Sequence, residues 1–138
     1  MKSFLLIMSL LSRTFFAGAQ DSWRIVLNNK LVLTSHESNE ALNIKLIKSS
    51  EWKKNGNLEV NYKVAPSARW HYSIQFKDDK DVILLEKDSV TSTKVATATL
   101  RKLMTRKKIL KIYIVISPAD PRMAAPARMV HLGTLKLP

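Results

Sequence analysis

No cysteine occurs anywhere in the 138 residues, and glycine occurs only three times. Without thiols there is no disulfide, no thiolate metal site and no cysteine nucleophile. There is also no lipid-modified cysteine of the kind that tethers a bacterial lipoprotein. With so little glycine, neither a strained nucleophile turn nor a glycine-flanked serine is present. Acid is scarce as well: 11 Asp and Glu stand against 23 Lys and Arg, a formal net charge of +12. Such an excess attracts anionic partners at long range, whether nucleic acid, lipopolysaccharide or phospholipid headgroups, acidic glycans or an acidic protein.

Long apolar runs are missing too. The one concentrated stretch, Phe4 to Leu11 (FLLIMSLL), is shorter than the roughly 20 residues a membrane span requires. It follows Lys2 and precedes the small-x-small triplet Ala17-Gly18-Ala19, the layout of a cleavable secretory signal. Residues 1–19 are therefore expected to be a signal peptide, with Arg13 an unusual charge inside it, and residues 20–138 a single domain beginning at Gln20. Losing Lys2 and Arg13 from the 23 basic residues leaves 21 against 11, a net +10. The mature chain is expected to be exported, in the periplasm, in the cell envelope or secreted, with no transmembrane segment of its own. At about 120 residues it is large enough to bury a core without staples.

From Asp21 onward the apolar period is two, which is the mark of strands with one buried face. Trp23, Ile25 and Leu27 alternate with Arg24 and Val26, Asn28-Asn29 makes a turn, and Leu31 to Leu33 returns. Leu42, Ile44 and Leu46 alternate next, with a buried face expected for all three. Asn55-Gly56 is the strongest turn dipeptide, since both residues tolerate positive φ. Leu58, Val60, Tyr62 and Val64, then Trp70, Tyr72, Ile74 and Phe76, form two clean alternations expected at the centre of the core. The acidic turn at Lys77 to Asp81 joins Phe76 to an antiparallel partner at Val82 to Glu86. Leu100, Leu103 and Met104 fall at helical spacing, so a short helix near 98–105, capped by a Thr, is expected. Ile109 to Ser117 reads as a strand buried on both faces, Pro118 to Pro126 as a loop, and Arg128 to Leu137 as a closing strand with a bulge at Gly133. This is an all-β chain: a two-sheet antiparallel sandwich of about eight strands, immunoglobulin-like or jelly-roll-like, with a closed barrel as the alternative.

Chemistry-bearing residues are sparse. His36, His71 and His131 lie in separate segments with no metal-binding spacing, and read as surface histidines. Asp78, Asp79, Asp81, Glu86 and Asp88 concentrate carboxylates, but without the calcium-loop pattern they read as a solvated turn or as partners for the chain's own basic residues. No catalytic residue, metal site or cofactor is expected. The basic run Arg101, Lys102, Arg106, Lys107, Lys108 and Lys111 is the candidate anion-binding face. No stacking aromatics are interleaved with it, as single-strand nucleic-acid binding would need. Trp52, in a polar stretch, is the tryptophan expected to be partly exposed and is the candidate carbohydrate contact.

Several short segments are similar to those of small exported β-sandwich proteins of uncharacterised function from Bacteroidetes. They are Ser22-Trp23, Asn28-Asn29-Lys30, Lys53 to Gly56, Lys87-Asp88-Ser89, Leu100 to Leu103, Pro118 to Pro121 and Val130 to Leu135. That resemblance implies a cell-envelope setting and carries over no activity. Two functions follow as expectations. One is a non-catalytic module binding a protein or envelope component through a sheet edge or loop face. The other is a binder of anionic polymers or lipid headgroups through residues 101–111.

Overall fold

The computed structural model describes residues 21–64 and 69–138. The expected leader at 1–19, with Gln20, and the loop at 65–68 lie outside the described residues. The strands are β1 (Ser22–Leu27), β2 (Lys30–Ser35), β3 (Ile44–Leu46), β4 (Asn57–Lys63), β5 (Trp70–Lys77), β6 (Ile83–Asp88), β7 (Ser92–Ala96), β8 (Ile109–Pro118) and β9 (Arg128–Lys136). One helix, α1 (Thr97–Leu103), lies between β7 and β8. The strands form two sheets, in the orders β2-β1-β4-β7 and β3-β9-β8-β5-β6. All pairings are antiparallel except β3 with β9.

The two inner faces meet in one core. The four-stranded sheet supplies Trp23, Ile25, Leu27, Leu58, Val60, Tyr62 and Val95. The five-stranded sheet supplies Ile74, Phe76, Leu110, Ile112, Ile114, Ile116, Leu132 and Leu135. The expected alternations of β1 and β4 thus hold; in β5 Ile74 and Phe76 are buried as expected, but so are Ser73 and Lys77, while Trp70 and Tyr72 are half-buried. Five of the ten β8 residues are buried and none is exposed. The hairpin at Asn28-Asn29 forms with both residues left-handed, at φ of 52° and 64°, which matches the twist of the flanking strands. The β9 bulge is present: Ile112 pairs with Gly133 and Tyr113 with His131, so Leu132 is the extra residue.

Four sequence expectations fail. A ninth strand, β7, precedes the helix; its alternation is only five residues long and runs straight into α1. Thr97 does not cap α1, whose N-cap is Ala96 with no side-chain bond. Its hydroxyl instead shares its one proton between the carbonyls of Lys53 and Gly56 and accepts from Gly56 N–H. The Asn55-Gly56 turn is not left-handed, and it carries the chain from one sheet to the other rather than closing a hairpin. Finally, β3 is inverted: Leu42, Ile44 and Leu46 are exposed while Asn43 and Ile47 turn inward. Asn43 is buried without penalty because its side-chain amide donates to Glu37 and its carbonyl accepts from Thr134.

No helix among the described residues is long and apolar enough to cross a membrane.

Candidate functional site

The acidic turn and the basic run, 20 to 30 residues apart in sequence, meet in space. Asp78 is shielded from solvent by its bonding partners rather than by depth. Its carboxylate accepts from Lys80 N–H and Val82 N–H at 2.9 Å each and from the Lys107 ammonium. The Lys107 hydrogen bond, aided by the two backbone donors, holds its carboxyl below the ordinary 3.8. Lys111 reaches Asp81 at 3.2 Å, Asp88 meets His71 at 2.7 Å, and Glu86 accepts from Gln75. The carboxylates are thus dispersed to separate partners. Among the described residues no three acidic or imidazole groups gather as a metal site.

A pH dependence follows. A folded-state value below 3.8 means that the stability Asp78 contributes is complete above pH 3.8 and is lost as pH falls through the folded value. Thermal melts between pH 2.5 and 6 should show Asp78→Asn less stable than the parent at pH 6, with a shallower loss of stability below pH 4. Parallel acid limbs for the two proteins would contradict the assignment.

Of the six basic candidates, Lys107 and Lys111 therefore have internal partners. Arg101, Lys102, Arg106 and Lys108 are exposed, and none is ion-paired among the described residues. Arg101 and Lys102 lie in the last turn of α1, where cations are favoured by the helix dipole. Arg106 follows in a left-handed turn, φ 65°, closed by Lys107 N–H to Met104 C=O.

Against this turn lies the segment bearing Trp52. Its turn is built by Glu51 and Trp52 N–H donating to Lys48 C=O and by the Glu51 carboxylate accepting from Lys48 N–H. The Thr97 hydroxyl ties the following residues to the start of α1. A recess of about 370 Å³ remains between the two, lined by Ser49, Trp52, Arg101, Met104, Thr105, Arg106, Lys107, Leu137 and Pro138. Its apolar wall is Trp52, Met104 and Leu137, all buried. Trp52 is thus 9 % exposed rather than partly exposed, too little ring face for a sugar platform. Trp52 shares this recess with three members of the basic run, Arg101, Arg106 and Lys107. Lys102 lines neither this recess nor a second one, which Arg106, Lys107 and Lys108 share with Asp78, Asp79 and Lys80, and Lys111 belongs to the outer face of the five-stranded sheet.

That outer face holds a cluster the sequence did not announce. Lys77 is buried, with its ammonium 3.3 Å from Met129 Sδ and 4.9 Å from the centre of the Tyr113 ring. Tyr113 packs edge-on against His131, centroids 5.2 Å apart. His131, expected at the surface, is 3 % exposed; its Nε2 lies 2.7 Å from Thr134 Oγ1, and its Nδ1 has no partner among the described residues. Burial pushes the imidazole below 6.5, against the pull of Glu40. Burial, reinforced by Glu40, raises the Tyr113 phenol. Here a neutral imidazole and a protonated phenol pack as a polar layer.

No protein-family model matches this chain, and neither a curated protein nor a solved structure matches it.

Proposed function

We propose that this chain is an exported, non-catalytic β-sandwich binding module, immunoglobulin-like in its strand arrangement, that takes an anionic amphiphile in the recess beside α1. The strand order supports the immunoglobulin-like reading. With β4 to β9 read as strands B, C, C′, E, F and G, β4 neighbours β7 as B neighbours E, and β9-β8-β5-β6 follow as G-F-C-C′. The jelly-roll alternative has no comparable correspondence. The extra strand β2 and the missing inter-sheet disulfide are departures from the antibody pattern.

The observation that carries the ligand class is the pairing of two unneutralised guanidinium groups, Arg101 and Arg106, with an apolar wall of Trp52, Met104 and Leu137 in one recess. Guanidinium forks suit phosphate and carboxylate oxygens. The wall suits the first carbons of an apolar body, so a phosphate-bearing lipid headgroup fits better than a nucleic acid, which would need exposed ring faces. The cell-envelope setting implied by the sequence resemblance accords with such a ligand.

Arg106→Gly is an informative variant because it removes a charge from a left-handed position that glycine adopts freely. Combined with Arg101→Ser, it should weaken binding to phosphatidylglycerol vesicles by about 2 kcal/mol, some thirtyfold, at about 1 kcal/mol per cation near an anionic surface. Folding stability should stay within about 1 kcal/mol of the parent. Phosphatidylcholine vesicles should not bind, and salt should weaken the parent's binding. Unaltered vesicle co-sedimentation by the double variant would defeat this reading.

A further inference from the structure

From the open edge of the five-stranded sheet we infer a second docking surface, distinct from the recess: β3 receives an extended, acidic strand of a partner protein by β-augmentation. β3 ends its sheet, and its parallel register sets Ile44 beside Thr134, Lys45 beside Leu135 and Leu46 beside Lys136. Thr134 N–H donates to Asn43 C=O, and Ile47 N–H donates to Lys136 C=O. In a parallel ladder alternate residues of a strand bond the same neighbour, so 43, 45 and 47 face β9. The N–H and C=O groups of Ile44 and Leu46 face away from it, as an edge that no strand among the described residues fills. Beside them Leu42, Ile44 and Leu46 are 66 %, 44 % and 67 % exposed. An exposed apolar edge strand is what natural sheets ordinarily blunt or cover.

The occupant is chosen by charge. Lys45, Lys48 and Lys136 are exposed around the edge, and none is ion-paired among the described residues. A second copy of the chain is the first alternative. An antiparallel self-pairing that joins Ile44 to Leu46 in both directions sets Lys45 directly opposite Lys45 of the other copy, a destabilising like-charge pair at close range. The strongly positive net charge, +12 for the whole sequence and +10 without residues 1–19, opposes that approach further. A strand with an acidic residue at that position and apolar residues on either side satisfies the backbone edge, the leucine and isoleucine side chains and the lysines together. This is strand addition, in which main-chain bonds supply affinity and alternate side chains supply specificity.

The test uses two blocked synthetic peptides, one alternating valine with glutamate and one alternating valine with lysine, titrated into the protein while its amide resonances are followed. The glutamate peptide should shift the amides of Ile44 and Leu46 most, and the lysine peptide should not bind. Ile44→Pro deletes one outward N–H and none of the β3–β9 bonds, and an edge strand tolerates proline; it should reduce binding at least tenfold. Lys45→Glu, at an exposed position, should weaken the glutamate peptide to a similar extent and admit the lysine peptide. It decides the matter even if the proline variant perturbs the fold. Arg101→Ser with Arg106→Gly should leave peptide binding intact, which separates this surface from the recess. Absence of binding, indifference to both β3 substitutions, or a dimer of the parent protein that Ile44→Pro dissolves would overturn the inference.

Discussion

Replacing Trp23 by alanine is expected to lower the free energy of unfolding by about 3–5 kcal/mol, the range for emptying a large aromatic site in a close-packed core. The ring is 3 % exposed and stacks on Tyr62 with centroids 5.9 Å apart and planes 18° from parallel. Its second task is polar. The indole N–H donates to Leu132 C=O at 2.7 Å, from β1 in one sheet to β9 in the other. Leu132 is the residue that the β8–β9 register skips, so the ladder leaves it unpaired and the indole supplies what the bulge removes. Trp23→Phe keeps most of the apolar volume but orphans that carbonyl, a loss of about 1–3 kcal/mol. Denaturant titrations should rank parent above Trp23→Phe above Trp23→Ala, with similar slopes. A phenylalanine variant as stable as the parent would show that the carbonyl finds another donor.

The same residue shows what alternation reveals and what it leaves out. Trp23, Ile25 and Leu27 are in phase in the sequence, and that phase placed them in the core correctly: all three are buried, while Arg24 is exposed and Val26 half-buried on the other face. For Leu42, Ile44 and Leu46 the same reasoning gave the wrong face. Apolar residues of opposite parity, such as Ile47, follow at once, and a buried Asn43 satisfied by Glu37 and Thr134 cannot be foreseen from its residue type. Strand β7 was hidden because Thr93 and Val95 merge into the threonine-rich start of α1. The basic run was legible as a run, but which of its members are neutralised is a tertiary fact: Lys107 and Lys111 are tied to the β5–β6 turn, whereas Arg101 and Arg106 have no ion pair among the described residues. The contribution of Trp52 to that recess was not legible, since it is contributed from about 50 residues away. Burial of His131 depends on Lys77, Met129 and Tyr113 closing over one another, and no local pattern encodes it.

Turn chemistry leads to the second large effect. Asn55-Gly56 has the composition of a left-handed turn, yet neither residue has positive φ; the left-handed pair is Asn28-Asn29. Glycine at 56 is required by crowding instead. A Cβ there would lie 1.8 Å from Asn28 Oδ1 and 2.7 Å from its Cγ. That side chain cannot retreat without loss, because Asn28 Oδ1 accepts from Asn57 N–H at 3.0 Å and Nδ2 donates to Glu51 C=O at 2.8 Å. Gly56→Ala should therefore cost about 2–4 kcal/mol, combining two broken hydrogen bonds with local overpacking. Asn55→Ala, at an exposed residue without a left-handed backbone, should stay within about 0.5 kcal/mol of the parent. If crowding is the cause, Asn28→Gly keeps the turn geometry while removing the obstructing atoms. In that background Gly56→Ala should cost less than about 1 kcal/mol, so the double-mutant cycle should show strong coupling. Additive losses would instead place the glycine requirement in the backbone of residue 56 itself, where the observed φ gives no reason for it.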